Sequence, residues 1–229
     1  MNGIKTLFLA LLFVSQSNMA QQSAIYLNQN PEYHKAIQLY KEKQFQAAQI
    51  LFERVKNAVQ SEEIISDCDY FIANCAIKTN QQDADALMES FIENHPTSTK
   101  RNLAYFEVAH YYFAEGNYTQ SLKWYENIYE PELADSDIDK ANFQRGYAYF
   151  SIKNNNDASK FFKKVIQSDA YGNQAKYYLG YLAYESDNYK EANELFNQVA
   201  GVEKYKEKMG YFQADMNFKF GNFQKAIDL

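Results

Sequence analysis

Apolar and polar residues alternate along this chain with the period of an amphipathic helix, and the pattern repeats. A motif of a turn residue, an aromatic residue and a small residue recurs, as in residues 116–122 and 221–227. Aligning the copies gives one column of alanine or serine only: Ala48, Ala84, Ser121, Ala158, Ala192 and Ala226. These residues lie 36, 37, 37, 34 and 34 positions apart. The sequence therefore predicts a series of similar helical units.

Other columns describe the packing face of each unit. Bulky residues follow the small column by four positions, at Phe52, Met88, Tyr125, Phe162 and Phe196, and apolar residues follow it by seven, at Val55, Phe91, Ile128, Val165 and Val199. These spacings put all three columns on one helical face. A second small column precedes the first by twelve positions: Ala36, Ile72, Ala109, Gly146, Gly180 and Ala214. Because a mid-helix glycine costs ~1 kcal/mol relative to alanine, we predict that Gly146 and Gly180 mark contacts too close for a Cβ atom.

Each unit is predicted to be two antiparallel helices joined by a tight turn, in which Gly116 and Gly221 take positive φ. The Asn-rich stretch 154–157 is interpreted as such a turn followed by a helix start. The acidic residues of 130–139 are expected to lie in a solvated turn between units.

Several of these residues resemble the tetratricopeptide repeat. They are Leu179, Gly180, Tyr189, Ala192 and Phe196 in one unit, Gly146, Tyr149, Ala158 and Phe162 in another, and Pro96 at the family's terminal proline. The resemblance implies an all-α fold, a right-handed α-solenoid of antiparallel helix pairs. Six units are expected, beginning near residues 29, 65, 102, 139, 173 and 207, with the solenoid covering residues 29–229. The second unit departs most from the pattern, because Gln81 and Met88 stand in usually aromatic columns.

The two ends of the sequence carry separate expectations. Residues 1–20 read as a secretory signal peptide, with Lys5 before an eight-residue apolar run at 7–14 and cleavage predicted after Ala20. Residues 21–28 are then a short N-terminal segment. The sixth unit stops before its bulky column, and we expect the chain to be the N-terminal part of a longer protein. The mature chain is expected to be exported, periplasmic or associated with the outer membrane, without a transmembrane segment.

Composition narrows the classes of function. A net charge of −6, with 23 basic against 29 acidic residues, disfavours nucleic-acid binding. Cys68 and Cys75 lie seven residues apart on one predicted helix, roughly 10 Å in rise, and are expected to be buried free thiols. His34, His95 and His110 fall in different units and form no metal-binding pair. The sequence contains no recognisable catalytic motif, so we expect a protein that is not an enzyme and needs no cofactor.

Two aromatic columns on the first helix of each unit are the candidate binding residues. They are Tyr33, Phe106, Phe143, Tyr177 and Tyr211 in one column and Tyr40, Phe113, Phe150, Tyr184 and Phe218 in the other, seven positions on. By resemblance to the family, these positions line the concave groove of the solenoid. One interpretation is that the rings fill the core. The other is that they bind an extended peptide or another elongated ligand, with interleaved Asp215 and Lys219 setting specificity.

Two hypotheses of function follow. The first is a non-catalytic scaffold of the bacterial cell envelope that binds a partner protein or extended peptide and takes part in a peripheral outer-membrane complex. The second is that the chain is the targeting or glycan-binding arm of a larger envelope enzyme, since aromatic rings also stack on sugars.

Overall fold

The computed structural model describes residues 30–228, with only the backbone of residues 206–208, so the predicted signal peptide and segment 21–28 lie outside the described residues. Within this range the chain forms α-helices, one 3₁₀ helix and turns, and no strand. The α-helices are α1 (Pro31–Lys41), α2 (Phe45–Ala58), α3 (Glu62–Lys78), α4 (Ala84–Asn94), α5 (Arg101–Ala114), α6 (Tyr118–Tyr125), α7 (Asp135–Ser151), α8 (Asn155–Lys164), α9 (Gly172–Glu185), α10 (Tyr189–Val199), α11 (Glu203–Lys219) and α12 (Phe223–Ile227). The all-α class is confirmed. The division into six units stays a prediction.

The helices belong to two compact units, one ending at Val108 and the other beginning at Ala109, so that the boundary falls within α5. In the first unit, α1 packs on α2, α2 on α3 and α3 on α4. In the second, each of the helices from α6 to α12 packs on the one that follows it. Both units are therefore built as the repeat pattern predicts, from helices that bury their apolar faces against their neighbours in sequence.

The turns within helix pairs share one backbone conformation. Gly116 and Gly221 have φ of 74° and 75°, which confirms the prediction of positive φ. The other turns place non-glycine residues in this left-handed region, with φ between 51° and 65°: Lys43, Asn80, Lys153 and Asp187. After three of these turns an asparagine caps the next helix, its side chain accepting a hydrogen bond from a backbone N–H three residues on: Asn117, Asn154 and Asn188. The interpretation of residues 154–157 is thereby confirmed.

The predicted packing columns form the core. Five of the six small-column residues have no exposed surface, and the bulky residues four positions on are equally buried: Phe52, Met88, Tyr125, Phe162 and Phe196. A Cβ atom added to Gly146 would lie 2.7 Å from the ring of Phe162, and one added to Gly180 would lie 2.6 Å from the ring of Phe196. The prediction of close contacts at both glycines is confirmed.

Two local expectations differ from the structure. Ile128 is only partly buried, because α6 ends at Tyr125 and leaves this member of its column outside the helix. The acidic run is not one solvated turn: Glu130–Glu132 is a 3₁₀ helix, and Asp135 begins α7. Carboxylates are favourable in the first turn of a helix, because they face the positive end of its dipole.

Cys68 and Cys75 both lie on α3 as free, fully buried thiols, as predicted. Among the helices of residues 30–228, none combines the length and apolar character required to cross a bilayer.

Candidate partner-binding surface

The structure distributes the ten predicted aromatic residues over three levels of burial. Tyr33, Phe106 and Phe143 are buried, with at most 9% of their surface exposed. Tyr211 and Phe218 are exposed, at 69% and 63%. The remaining five are partly buried: Tyr40, Phe113, Phe150, Tyr177 and Tyr184.

Rings of the first column pack within the stack. Phe143 stacks on Tyr171, with centroids 4.9 Å apart and ring planes 20° apart. Tyr177 stacks in the same way on Tyr205, at 5.0 Å and 14°. In both pairs the second ring lies 28 residues downstream, ahead of or within the next repeat's first helix. For Phe143 and the other buried members, the interpretation as core residues therefore holds.

Rings of the second column close their own helix pairs. Each contacts, edge-on or tilted, an aromatic residue five positions downstream, just beyond the turn: the pairs are Tyr40–Phe45, Phe113–Tyr118, Tyr184–Tyr189 and Phe218–Phe223. Their centroid distances lie between 5.4 and 5.8 Å. Such contacts stabilise the hairpin by about 0.5–1.5 kcal/mol beyond area burial.

A second set of stacked rings was missed by sequence reasoning. Outer-helix rings stack face to face on rings of the next inner helix: Phe52 on Phe71, Phe162 on Tyr178 and Phe196 on Phe212, at 4.8–5.3 Å. The last two pairs share a separation of 16 residues in sequence, and this recurrence is the signal that could have revealed them. The corresponding Tyr125 hydroxyl donates instead to the Gln144 side chain, at 2.5 Å.

The second unit also carries a continuous line of partly buried rings across four inner helices. We call it the aromatic strip; its members are Phe113, Tyr147, Phe150, Tyr181 and Phe212. Successive centroids lie 5.7, 6.4, 5.7 and 5.8 Å apart. Only Phe113 and Phe150 were candidate residues. Tyr147 and Tyr181 directly follow Gly146 and Gly180 and are 34 residues apart, which marks them as another column.

Charge is concentrated where the strip reaches α11. The Tyr184 hydroxyl donates to Asp215 Oδ2 at 2.5 Å, and Lys219 Nζ lies 3.1 Å from the same oxygen. The hydrogen bond to Asp215, followed by burial, raises the pKa of Tyr184, and the bond from Tyr184 lowers the pKa of Asp215. Lys219 Nζ also lies 4.8 Å from the ring centroids of Tyr184 and Tyr189. The tyrosines here stay neutral, so the strip offers ring faces together with hydroxyl groups.

The two partly buried histidines take part in polar contacts within their units. His95 Nε2 lies 3.0 Å from Asp69 Oδ2. His110 lies between Gln144 and Lys140, whose nitrogen is 3.0 Å from Nε2. His34 is exposed and meets the ring of Tyr33 edge-on.

The sequence model of the tetratricopeptide repeat matches residues 69–98, which span the second predicted unit. The chain is a tetratricopeptide repeat protein. The match falls on the unit that departs most from the pattern, with Pro96 near its end. Among curated proteins, none matches the sequence.

Solved structures share the tetratricopeptide repeat fold with this chain. The C-terminal part of a TPR repeat-containing protein from Cytophaga hutchinsonii is 18% identical with a TM-score of 0.66, and the match covers 95% of this chain and 90% of that one. A tetratricopeptide repeat protein from Parabacteroides merdae is 16% identical with a TM-score of 0.60, over 86% and 75%. PilF of Pseudomonas aeruginosa is 10% identical with a TM-score of 0.56, over 86% of each chain. At these identities the likeness concerns the fold, which typically serves protein interaction rather than catalysis.

Proposed function

We propose that this tetratricopeptide repeat protein is a non-catalytic scaffold of the bacterial cell envelope that binds an extended peptide or a segment of a partner protein. The observation that carries the proposal is the aromatic strip, in which five partly buried rings continue across α5, α7, α9 and α11. Tyrosine and phenylalanine supply large contact areas and lose little conformational entropy on binding.

The contacts of the strip favour a partner with apolar side chains and at least one charged group. The rings are supported from below by buried stacks such as Phe162–Tyr178, so their positions are set before a partner arrives. At α11, Asp215 and Lys219 lie beside the rings and can pair with polar groups of the partner. A protein segment supplies both kinds of group.

Crosslinking at the strip tests this proposal. With p-benzoylphenylalanine at Tyr181, the full chain expressed in its bacterial host is expected to crosslink to one discrete protein segment rich in apolar residues. The control places the same residue at Tyr129, which is 61% exposed and lies outside the strip. The double variant Tyr147→Ser/Tyr181→Ser should reduce capture at least tenfold with helical circular dichroism retained.

Equal crosslinking at Tyr181 and Tyr129 would contradict the proposal. So would capture that survives the double variant unchanged. Saturable binding of cell-wall glycan fragments, lost in the same variant, would replace it with the glycan-binding alternative.

A further inference from the structure

The first unit contains a polar cleft that the aromatic strip does not involve. It lies between the first turns of α3 and the loop of residues 95–100 that joins α4 to α5, and its volume is about 500 Å³. Its lining includes Glu62, Glu63, Ser66, Asp67 and Lys100. Clefts that bind small molecules commonly have volumes of about 300–1,000 Å³.

Ser66 is the unusual residue of this cleft. It is 9% exposed, its Oγ atom is buried, and no residue in the described part of the chain forms a hydrogen bond with that atom. A buried hydroxyl without a partner costs about 1–3 kcal/mol. Ser66 is therefore suited to accept a hydrogen bond from a group that enters the cleft.

The charges of the cleft determine the sign of that group. Lys100 Nζ is held 2.7 Å from Asp67 Oδ1, and the other oxygen of Asp67 accepts from the Tyr33 hydroxyl at 2.9 Å. The positive charge of Lys100 is thus compensated within the cleft. Glu62 and Glu63 are exposed and form no ion pair among the described residues, so two carboxylates remain in excess.

An anion would find less favourable conditions. The positive end of the α3 dipole already faces Glu62 and Glu63, which lie in its first turn. The described residues bring together no three histidine, cysteine or acidic side chains as a metal ion would require. What remains is an organic cation with N–H groups that can donate to both the carboxylates and Ser66.

From this arrangement we infer that the cleft binds a primary alkylammonium group, with Glu62 and Glu63 at its mouth and Ser66 Oγ as an acceptor inside. Such a group occurs in free polyamines and in lysine side chains. Because the two carboxylates are exposed, binding weakens as ionic strength rises from 10 mM to several hundred millimolar, roughly over the range in which the Debye length falls from ~30 Å to below 8 Å.

Titration calorimetry of the full chain tests the inference with three probes: 1,5-diaminopentane, an acetylated lysine amide, and tetramethylammonium, which has no N–H group. The two primary amines are expected to bind and tetramethylammonium is not. The free diamine binding alone would identify a polyamine as the source, and the lysine amide binding at least equally would identify a polypeptide. Binding of neither primary amine would overturn the inference.

Variants separate the site from general charge. Ser66→Ala should weaken amine binding at least tenfold and leave thermal stability equal or higher, since it removes a buried hydroxyl. Glu62→Gln/Glu63→Gln should abolish binding, whereas Glu93→Gln/Glu194→Gln makes the same change in charge outside the cleft and should not. Equal losses in both double variants, or tetramethylammonium binding as strongly as the amines, would reduce the effect to non-specific attraction and overturn the inference.

Discussion

The chemistry of single residues in this chain is governed largely by burial. Cys68 and Cys75 have no exposed surface, and burial raises the pKa of each thiol to about 12. For Cys68 the neighbouring Asp67 and Asp69 act in the same direction. Burial is also the main cause of the raised pKa values of Tyr33 and Tyr40. All four groups are held in their neutral forms, which suits residues that pack rather than react.

The thiols should make the protein less stable in alkali. An unfolded thiol ionises near pH 9, whereas the folded one does so near pH 12. Between these values the folded state binds more protons, so the free energy of unfolding falls as pH rises, by at most about 1.4 kcal/mol per pH unit for each thiol. Urea unfolding under reducing conditions at pH 8, 9.5 and 10.5 measures this slope. The variant Cys68→Ala/Cys75→Ala is expected to retain only the part due to the tyrosines, and a slope identical to that of the parent would show that the thiols contribute nothing.

At the scale of the helix pair, a small residue on one helix and a ring on its partner determine how closely the two approach. Gly146 faces Phe162 and Gly180 faces Phe196. Phe196 is completely buried and also stacks on Phe212 of the following inner helix. Each such ring therefore joins the packing within a helix pair to the packing between pairs.

Gly180→Ala should lower the free energy of unfolding by about 1 kcal/mol. Alanine is worth ~1 kcal/mol more than glycine within a helix, but its Cβ would lie 2.6 Å from Phe196, whose stacked ring cannot move away cheaply. Overpacking of this kind costs about 1–3 kcal/mol. Chemical denaturation measures the difference.

Gly201→Ala is the matched control, because a Cβ there meets no atom within 4 Å, and its effect should stay within ~0.5 kcal/mol. Adding Phe196→Leu to Gly180→Ala should cost less than the sum of the single changes, since the smaller side chain relieves the clash. Strict additivity, or a stabilising Gly180→Ala, would show that the contact does not limit the packing.

At the scale of the whole molecule, the described helices pack on their neighbours in sequence. The stability of such an array is approximately a sum of repeat terms and interfaces between neighbours. The same design leaves extended surfaces for binding, and the aromatic strip and the polar cleft lie on different units. The site of action depends on the first twenty residues, which are not part of this packing.

Export of the full-length chain is the expectation at this scale. When it is expressed with its own N-terminus in a Gram-negative bacterium, mass spectrometry of the periplasmic or membrane-associated product should find Gln21 as the first residue, because Lys5 and the following apolar run form a signal peptide. The variant Leu9→Arg/Leu11→Arg interrupts the run and should remain uncleaved in the cytoplasm. Cytoplasmic accumulation of the uncleaved parent chain would contradict the prediction.

The sequence by itself determined the helical class, the packing columns, the positive φ at Gly116 and Gly221 and the burial of both cysteines. These properties follow from local spacing, since positions four and seven residues apart share a helix face and only certain residues suit a tight turn. It could not separate groove from core among the aromatic residues. A ring such as Phe143 and a ring such as Phe218 occupy equivalent positions in their units, yet the first is buried under Tyr171 and the second is exposed.

Only the tertiary structure decided which rings join into the aromatic strip and which residues enclose the polar cleft. Both depend on side chains brought together from different helices, as when Phe150 meets Tyr181 or Lys100 meets Asp67. The helical period places a residue on a face, but the partner across that face is set by turn lengths and by the approach of neighbouring helices. Those distances exist only once the stack is assembled.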